Sequence, residues 1–590
     1  MAAGIPDTFD RHWRRWLLLF WLVACAGLII DRWNSIHWFA LPDTDDNMRI
    51  MQVRAWLQGQ AWFDLRQHRL NPPFGANIHW SRLVDLPIAG IILALRPIVG
   101  GILAEKTAVT LAPLLPLLVA MAATAVATRR LLAPKAYLLA FILLMCAHSS
   151  RLMWSPLRID HHGWQLALLC VIMLSFTDRN RARGGLLLGI ASALSLTIGL
   201  EMLLYLLVAG GLTVLLWVRD ADERIRLASY GATLAGGTAL GYLLFASYDN
   251  RAILCDALTP VWLSAMVAAG ALCVLLAMLP LATPRARLAA AAGGGLLLAG
   301  GFAASWPQCL GRLEAASPEL ERLWLDRVRE AMPIYKHDAV MITAVTALPL
   351  AGLAGYAAML WRHRHQPDRL LPWAALATLC FVATALLLWQ SRTGPAAQTL
   401  AVPGATALGW LLIPRAQASG KLLVRVFGTV AAFLIVSGIG AQYVVEKMPK
   451  KSGGGLGIVN QANRLCPTMP ALRPIALLPK GVVLTFVDLG PRLITLTPHD
   501  AIAGPYHRNG DAILDVHKAF RGSVDNAHAT ALRRGVDYVL ICPNLSEATV
   551  YRAEAPHGFY VQLAAGRVPS WLERIPLPAG SPYMMWRVRR

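Results

Sequence analysis

The chain has 590 residues, 56% of them hydrophobic and only 15% charged, with a formal net charge of +21. A soluble globular domain carries about 25% charged residues, so a large soluble helical protein is set aside in favour of a membrane protein whose apolar runs recur near the spanning length of about 20 residues. The positive charge lies in short clusters between those runs, the positive-inside pattern, and not in a basic stripe with interleaved aromatics, so nucleic acid is not the expected partner.

In chain order, Arg11, Arg14 and Arg15 precede an apolar run at 16–30, a signal anchor with a cytoplasmic N-terminus. Leu22-Val23-Ala24-Cys25 has the form of a lipobox, but cleavage there would remove the first span, so an uncleaved anchor is expected. An external loop follows at about 31–83. The block 84–128 ends at Arg129, Arg130 and Lys135 and crosses once, near 106–128, with 86–103 re-entrant or interfacial. Residues 136–150 go out, 151–162 form a short external loop, and 163–177 return to Arg179, Arg181 and Arg183. A hairpin of 184–199 and 202–218 leads to Arg219, Arg224 and Arg226. Spans near 226–246, 257–280 and 287–304 follow, with Arg285 and Arg287 inside, then an external loop at 305–337. Residues 338–361 return to Arg362, Arg364 and Arg369. Spans near 370–389, 395–413 and 421–441 complete a polytopic α-helical bundle of about thirteen transmembrane helices over 1–445. The expected setting is the inner membrane of a bacterial cell.

Residues 446–590 are expected outside the cytoplasm, beyond Lys447, Lys450, Lys451 and a Ser452-Gly453-Gly454-Gly455 linker. Short apolar runs at 482–487 and 538–542 read as buried strands. Stretches 511–520 and 523–534 read as helices, with Ser523 as an N-cap. Alternation of the two predicts a small extracytoplasmic α/β domain. The nine cysteines contain no CxxC, and most fall in apolar runs as packing residues. Cys466 and Cys542 can pair if the tail is outside.

Acids are scarce, so their positions inform. Three groups fall on the external side of a topology drawn from Lys and Arg alone: Asp43, Asp45 and Asp46 after the first span, Asp160 with His161 and His162 in the short loop, and Glu330 in the late loop. Each has an ordinary reading: a solvated helix N-terminus, an interfacial polar loop, a surface glutamate between arginines. Together they supply oxygen ligands and an imidazole suited to a hard divalent cation. Asp43 or Asp46, Asp160, His162 and Glu330 are the expected ligands of Mg²⁺ or Mn²⁺.

At these residues the sequence resembles the catalytic subunits of oligosaccharyltransferases, in the GT-C superfamily. These have thirteen spans and an extracytoplasmic C-terminal domain. Their first-loop motif, of D-P-Y-Y-H-x-R type, corresponds to Asp43-Thr44-Asp45-Asp46-Asn47-Met48-Arg49. Spacing to Arg49 selects Asp43, with Asp45 and Asp46 as alternatives. Asp160-His161-His162 matches a D-H-H motif. Val328-Arg329-Glu330-Ala331-Met332-Pro333 keeps the Val, Glu and Pro of S-V-S-E-x-x-P. Arg392 stands where the family places an arginine on the donor pyrophosphate. The W-W-D-Y-G motif that reads the acceptor sequon is reduced to Asp488 and Gly490 within Phe486-Val487-Asp488-Leu489-Gly490, which argues against a sequon acceptor.

The resemblance implies a glycosyltransferase that moves a sugar or oligosaccharide from a polyprenyl phosphate or pyrophosphate to an extracytoplasmic glycan, lipid or protein. Asp43, Asp45, Asp46, Asp160 and Glu330 are its catalytic acids. Arg392 and Arg82 are candidates for the donor phosphate, Arg82 equally as an interfacial anchor beside Trp80. Asp488, His499, Tyr506, His507, Arg508 and Asn509 are candidates for acceptor recognition, the polar stretch 497–510 reading equally as a turn-rich loop. The rival classes are a transporter or flippase of lipid-linked glycans, which would favour paired broken helices in two halves, and a non-catalytic scaffold.

Overall fold

A computed structural model describes residues 6–448 and 454–589. The expected Lys450, Lys451, Ser452 and Gly453 lie outside the described residues, and Gly454 already begins a helix, Gly454–Leu465. The first part of the chain is a helical membrane bundle and the rest is a small α/β domain. The expected spans fall on helical segments, 106–128 and 421–441 each across two consecutive helices. Among the described residues, seven helices are long and apolar enough to cross a membrane alone, or eight if the pair Leu422–Ser437 and Ile439–Glu446, bent by 85°, is one span. Three more apolar helices are shorter: Tyr137–Cys146, His162–Phe176 and Leu203–Arg219. The chain is an integral membrane protein.

Helices in lipid gain little from apolar burial against one another and rely on close approach. Gly355 shows how close: a Cβ there would lie 1.9 Å from the Gly404 carbonyl oxygen, so the helices Ala339–Arg362 and Gly394–Gln417 meet backbone to backbone. The second of these is buried along most of its length and holds the turn Ser391–Thr393 at its N-terminal end.

Several of the basic clusters used to draw the topology meet acids at the bundle's helix ends. Arg129 meets Asp10 at 2.8 Å, Lys135 meets Asp7 at 2.8 Å, Arg130 and Arg183 both meet Asp178, at 3.2 and 2.6 Å, and Arg226 meets Glu223 at 2.6 Å.

The domain's sheet has strands β1 (Val482–Leu484), β2 (Asp500–Ala501), β3 (Tyr538–Ile541), β4 (Leu572–Ile575) and β5 (Met584–Val588), in the order β2-β1-β3-β5-β4. β1 is parallel to β2 and β3, whereas β5 is antiparallel to β3 and β4. The expected strands and helices are present, the latter as Gly510–Arg521 and Val524–Arg533, and the Ser523 side chain accepts from the Asn526 amide as an N-cap does. Cys466 pairs with Cys542. A second disulfide, Cys255–Cys309, joins two external segments. Cys255 sits at the edge of an apolar run, which had favoured a packing role.

The two parts share one core. Met48, Met51, Leu70, Ile78 and Trp80 of the first external loop and Leu320 of the late loop are buried with the domain's own Phe486, Ile494 and Phe520. Backbone bonds continue the join: Asn71 N–H donates to Ala501 O and Ala501 N–H to Arg69 O, both at 3.0 Å. The first loop therefore pairs with the edge strand β2, which relieves an exposed edge.

Candidate active site

The helix Thr44–Leu57 begins at Asp43, whose extended backbone makes it the N-cap and leaves Asp45 and Asp46 in the first turn. Acids at that end are favoured by the helix dipole. The short loop 151–162 passes beside it, and Arg158 reaches from the loop into the acids. Its guanidinium contacts Asp43, lies 3.4 Å from Asp46 and pairs with Asp160 at 2.8 Å. The Asp160 N–H donates to Asp46 at 3.1 Å, closing the loop onto the helix. Asp160 also accepts from the His162 N–H at 3.0 Å.

These aspartates feel opposite forces. Burial pushes the Asp43 carboxyl up, but Arg158 outweighs it and the net shift is downward. Burial also opposes ionisation of Asp160, yet Arg158, His162 and His161 hold it at about 2. For Asp46, burial dominates Arg158, and Asp160 and Asp43 add to it, so its carboxyl stands well above the usual range. Asp45 rises in the same way, by burial first and then by Asp43 and Asp160, with Glu330 contributing. Four carboxylates face one guanidinium, and the surplus negative charge is carried by raised affinities for protons.

Glu330 is exposed on the turn Arg329–Ala331. Its electrostatic effect on Asp45 brings it to the same side of the bundle. The Ser391 hydroxyl donates to Glu330 O at 3.2 Å and the Ser391 N–H to Met332 O at 2.8 Å, which ties the Glu330 turn to the Arg392 turn. Arg392 is part-exposed, donating to Gln390 at 2.6 Å and 3.8 Å from Glu314. The α/β domain anchors the late loop through Lys518–Glu319 at 2.8 Å and Arg327–Glu554 at 2.5 Å.

The predicted ligands Asp43, Asp46, Asp160, His162 and Glu330 do not converge on one point as a ligand group. Arg158 stands between Asp43, Asp46 and Asp160. His162 Nδ1, buried without a hydrogen-bond partner and 3.9 Å from Asp160 Oδ1, together with the surplus of carboxylate, is the arrangement's fit to a cation. Among the described residues, the trio whose ligand atoms lie within 4.8 Å of one another is His79, Asp256 and His507.

Arg82 lies elsewhere than expected. It is 1% exposed and donates to the carbonyls of Trp62 at 2.7 Å and Asp64 at 2.6 Å, with Asp85 at 3.4 Å. Arg49 pairs with the same Asp85 at 2.9 Å. Arg82 thus braces the first loop, its guanidinium already occupied, instead of facing a lipid phosphate.

The stretch 499–509 also differs from the expected acceptor loop, because its polar groups are taken by the α/β domain itself at His499 and by the join between the two parts from Tyr506 on. His499 is fully buried, hydrogen-bonded to Ile475 O at 2.9 Å and accepting from the Gly481 N–H at 3.3 Å. The Tyr506 hydroxyl donates to Thr44 O at 3.1 Å. His507 and Arg508 hold Asp256, each at 2.6 Å. Asn509 donates to Asn77 O at 3.0 Å and accepts from the Asn77 N–H at 2.8 Å.

Asp488 alone of the acceptor set is exposed. Glu547 receives the Val487 N–H at 3.0 Å, the Asp488 N–H at 2.9 Å and the Tyr551 hydroxyl, and so fixes the turn. The protein around Asp488, followed by the charge of Asp43, raises its carboxyl to about 6.

Arg158, Glu201, Asp256 and Glu547 escaped the sequence reading. Glu201, in the tip of the hairpin between Arg181–Ile198 and Leu203–Arg219, accepts from Gln165 at 2.6 Å and meets His161 at 2.8 Å. Its signal was available: an acid between two apolar runs on the external side. Arg158, two residues before Asp160, was available in the same way.

No family model matches the sequence, and no curated protein matches it in sequence. Solved structures do match in shape. The oligosaccharyltransferase AglB of Archaeoglobus fulgidus, in complex with an inhibitory peptide and a dolichol-phosphate, superposes with a TM-score of 0.68 at 15% identity, over 93% of this chain and 72% of that one. The same protein tethered to an acceptor peptide containing the NVT sequon gives 0.66 at 14% identity, over 99% and 75%. The arabinofuranosyltransferase AftD from Mycobacteria gives 0.50 at 14% identity, over 98% of this chain and 40% of that one. The fold that carries the Asp43–Arg158–Asp160 cluster is therefore the GT-C fold of the membrane glycosyltransferases.

Proposed function

We propose that this protein transfers a sugar or oligosaccharide from a polyprenyl phosphate or pyrophosphate to an acceptor on the outer side of the membrane. The observation that carries the reading is the cluster of Asp43, Asp46 and Asp160, drawn from two external loops onto one guanidinium beneath the α/β domain. Such a surplus of buried carboxylate is costly and is retained where a cation or a polarised group must be met. The AglB structures, one with dolichol-phosphate and another with zinc and sulfate, favour a lipid phosphate and a metal here too.

The donor's lipid tail stays in the bilayer with its phosphate at the outer surface. Arg392, part-exposed on the turn tied to Glu330, offers a forked donor to the phosphate oxygens. Asp43, positioned by Arg158 at a helix start, faces the acceptor with Asp45 and Asp46 as alternatives, and orients or deprotonates its nucleophile. Asp160 and His162, whose Nδ1 is left without a partner, would start a divalent-ion site, Mg²⁺ or Mn²⁺, whose charge would neutralise the leaving phosphate. Displacement at the anomeric carbon then inverts the sugar.

Asp488 faces the acceptor from the domain side. Without the paired tryptophans the site has lost two indole donors and a flat aromatic surface, so the acceptor is a hydroxyl-bearing glycan, lipid or protein and not an asparagine in a sequon.

The test is the lipid-linked glycan pool in a deletion strain. Accumulation of one species, reversed by the wild-type gene and not by Asp160→Asn, supports transfer. Full complementation by Asp160→Asn and by Glu330→Gln would make the protein a scaffold, and failure of the glycan to reach the outer leaflet would make it a flippase.

A further inference from the structure

We infer that His79, Asp256 and His507 form a second, separate metal site, of the zinc type, that clamps the α/β domain to the membrane part. The three residues come from segments far apart in sequence. His79 lies in the first external loop, Asp256 follows Cys255 in the loop tied to Cys309, and His507 belongs to the α/β domain. Their ligand atoms all lie within 4.8 Å of one another. His507 Nε2 is 2.6 Å from Asp256 Oδ2, and the His79 and His507 rings have centroids 4.8 Å apart.

His79 is the residue the hydrogen-bond network leaves over. Its neighbours are fully engaged, yet among the described residues its imidazole has no hydrogen-bond partner. An imidazole ligates through the lone pair of an unprotonated ring nitrogen.

Arg508 supplies the outer support. It grips Asp256 with two bonds of 2.6 and 2.7 Å and is itself fixed by Asn250 at 2.7 Å and Asn77 at 3.2 Å. Metal-ligating carboxylates are held in this way by a second shell. The ion would sit between His507 Nε2 and Asp256 Oδ2, while Arg508 keeps its bonds to both carboxylate oxygens. Two nitrogen donors and one oxygen select zinc over magnesium or calcium, which take oxygen sets. Three protein ligands leave a fourth position for water.

The test uses the full chain purified in detergent, stripped with a chelator and titrated with Zn²⁺ alone. The expected result is about one zinc retained per chain, with nitrogen neighbours at about 2.0–2.1 Å in X-ray absorption. His79→Ala is expected to lower the affinity at least about tenfold, since even outer-shell losses cost that much. Its imidazole has no hydrogen bond to lose, so folding is not at stake, and His79→Gln gives a second reading. Asp160→Asn is expected to keep the zinc. Zinc binding unchanged in both His79 variants overturns the proposal, as does binding lost in Asp160→Asn with His79 intact, or no zinc retained by the wild type. In the last case His507, Asp256 and Arg508 are an anchor held by proton and charge alone.

Discussion

Two charged constellations lie at the outer end of this molecule, and they are balanced in opposite ways. Around Arg158, three aspartates share one guanidinium with Asp45 nearby, and Asp45 and Asp46 are left with strongly raised proton affinities. Around Asp256, one carboxylate is shared by an arginine and a histidine, and its carboxyl falls far below the usual range although burial opposes this. The first carries negative charge in excess. In the second the carboxylate is already paired, and it ties two parts of the chain together with the His79 imidazole left over beside it. Acid content alone does not separate a working site from a clasp; the ratio of acids to bases within reach does.

The sharpest break of this comparison is at Asp160. Asp160→Asn is expected to lower transfer by at least about a hundredfold, the scale of losing a group that acts on developing charge, while membrane insertion persists. A glycan-transfer assay with purified protein and a polyprenyl-linked donor measures it. Asp256→Asn belongs to the other constellation and should act on stability. Breaking a buried pair costs about 3–5 kcal/mol, so the thermal midpoint should fall and proteases should gain access to the join near Asn77 and Asn509. If Asp256→Asn abolishes transfer with an unchanged midpoint, the clasp is part of the chemistry and the distinction fails.

Removing Cys466–Cys542 by serine substitution should cost about 2–4 kcal/mol, read as a lower midpoint for the α/β domain. A smaller effect sharpens the picture on the acceptor side. The Asp488 carboxyl is raised to about 6, so it is protonated below that pH and ionised above it. If its carboxylate meets the acceptor, the acceptor-dependent rate should rise several-fold as pH increases through about 6. Asp488→Asn should be slower and lack that limb. A peptide carrying Asn-x-Ser/Thr should be a poor acceptor, and efficient glycosylation of it would remove the argument from the missing tryptophans.

Much of the architecture was legible because periodicity and charge act locally. Apolar runs of spanning length name their own helices, and the arginines that end them meet acids at the helix ends, as the contacts of Arg129, Arg130 and Arg183 show. Ser523 and the run at 538–542 were readable for the same reason, since a cap and a buried strand are written in a few adjacent residues. The two readings of the polar stretch from His499 to Asn509 stay equal in the sequence because nothing in it tells a loop that waits for a ligand from one that has found its partner. Its partners, Thr44, Asn77 and Asp256, are more than 200 residues away.

What the sequence determined by itself is therefore the membrane class and the elements of the tail. These follow from hydropathy, the positive-inside rule and short-range patterning, each a property of neighbouring residues. Only the tertiary structure decided that Arg158 stands among the aspartates, that Arg82 braces a loop, that Cys255 meets Cys309, and that His79 lies open beside His507 and Asp256. Charge compensation and ligand geometry depend on which groups lie within a few ångströms, and that distance is set when the loops pack under the α/β domain.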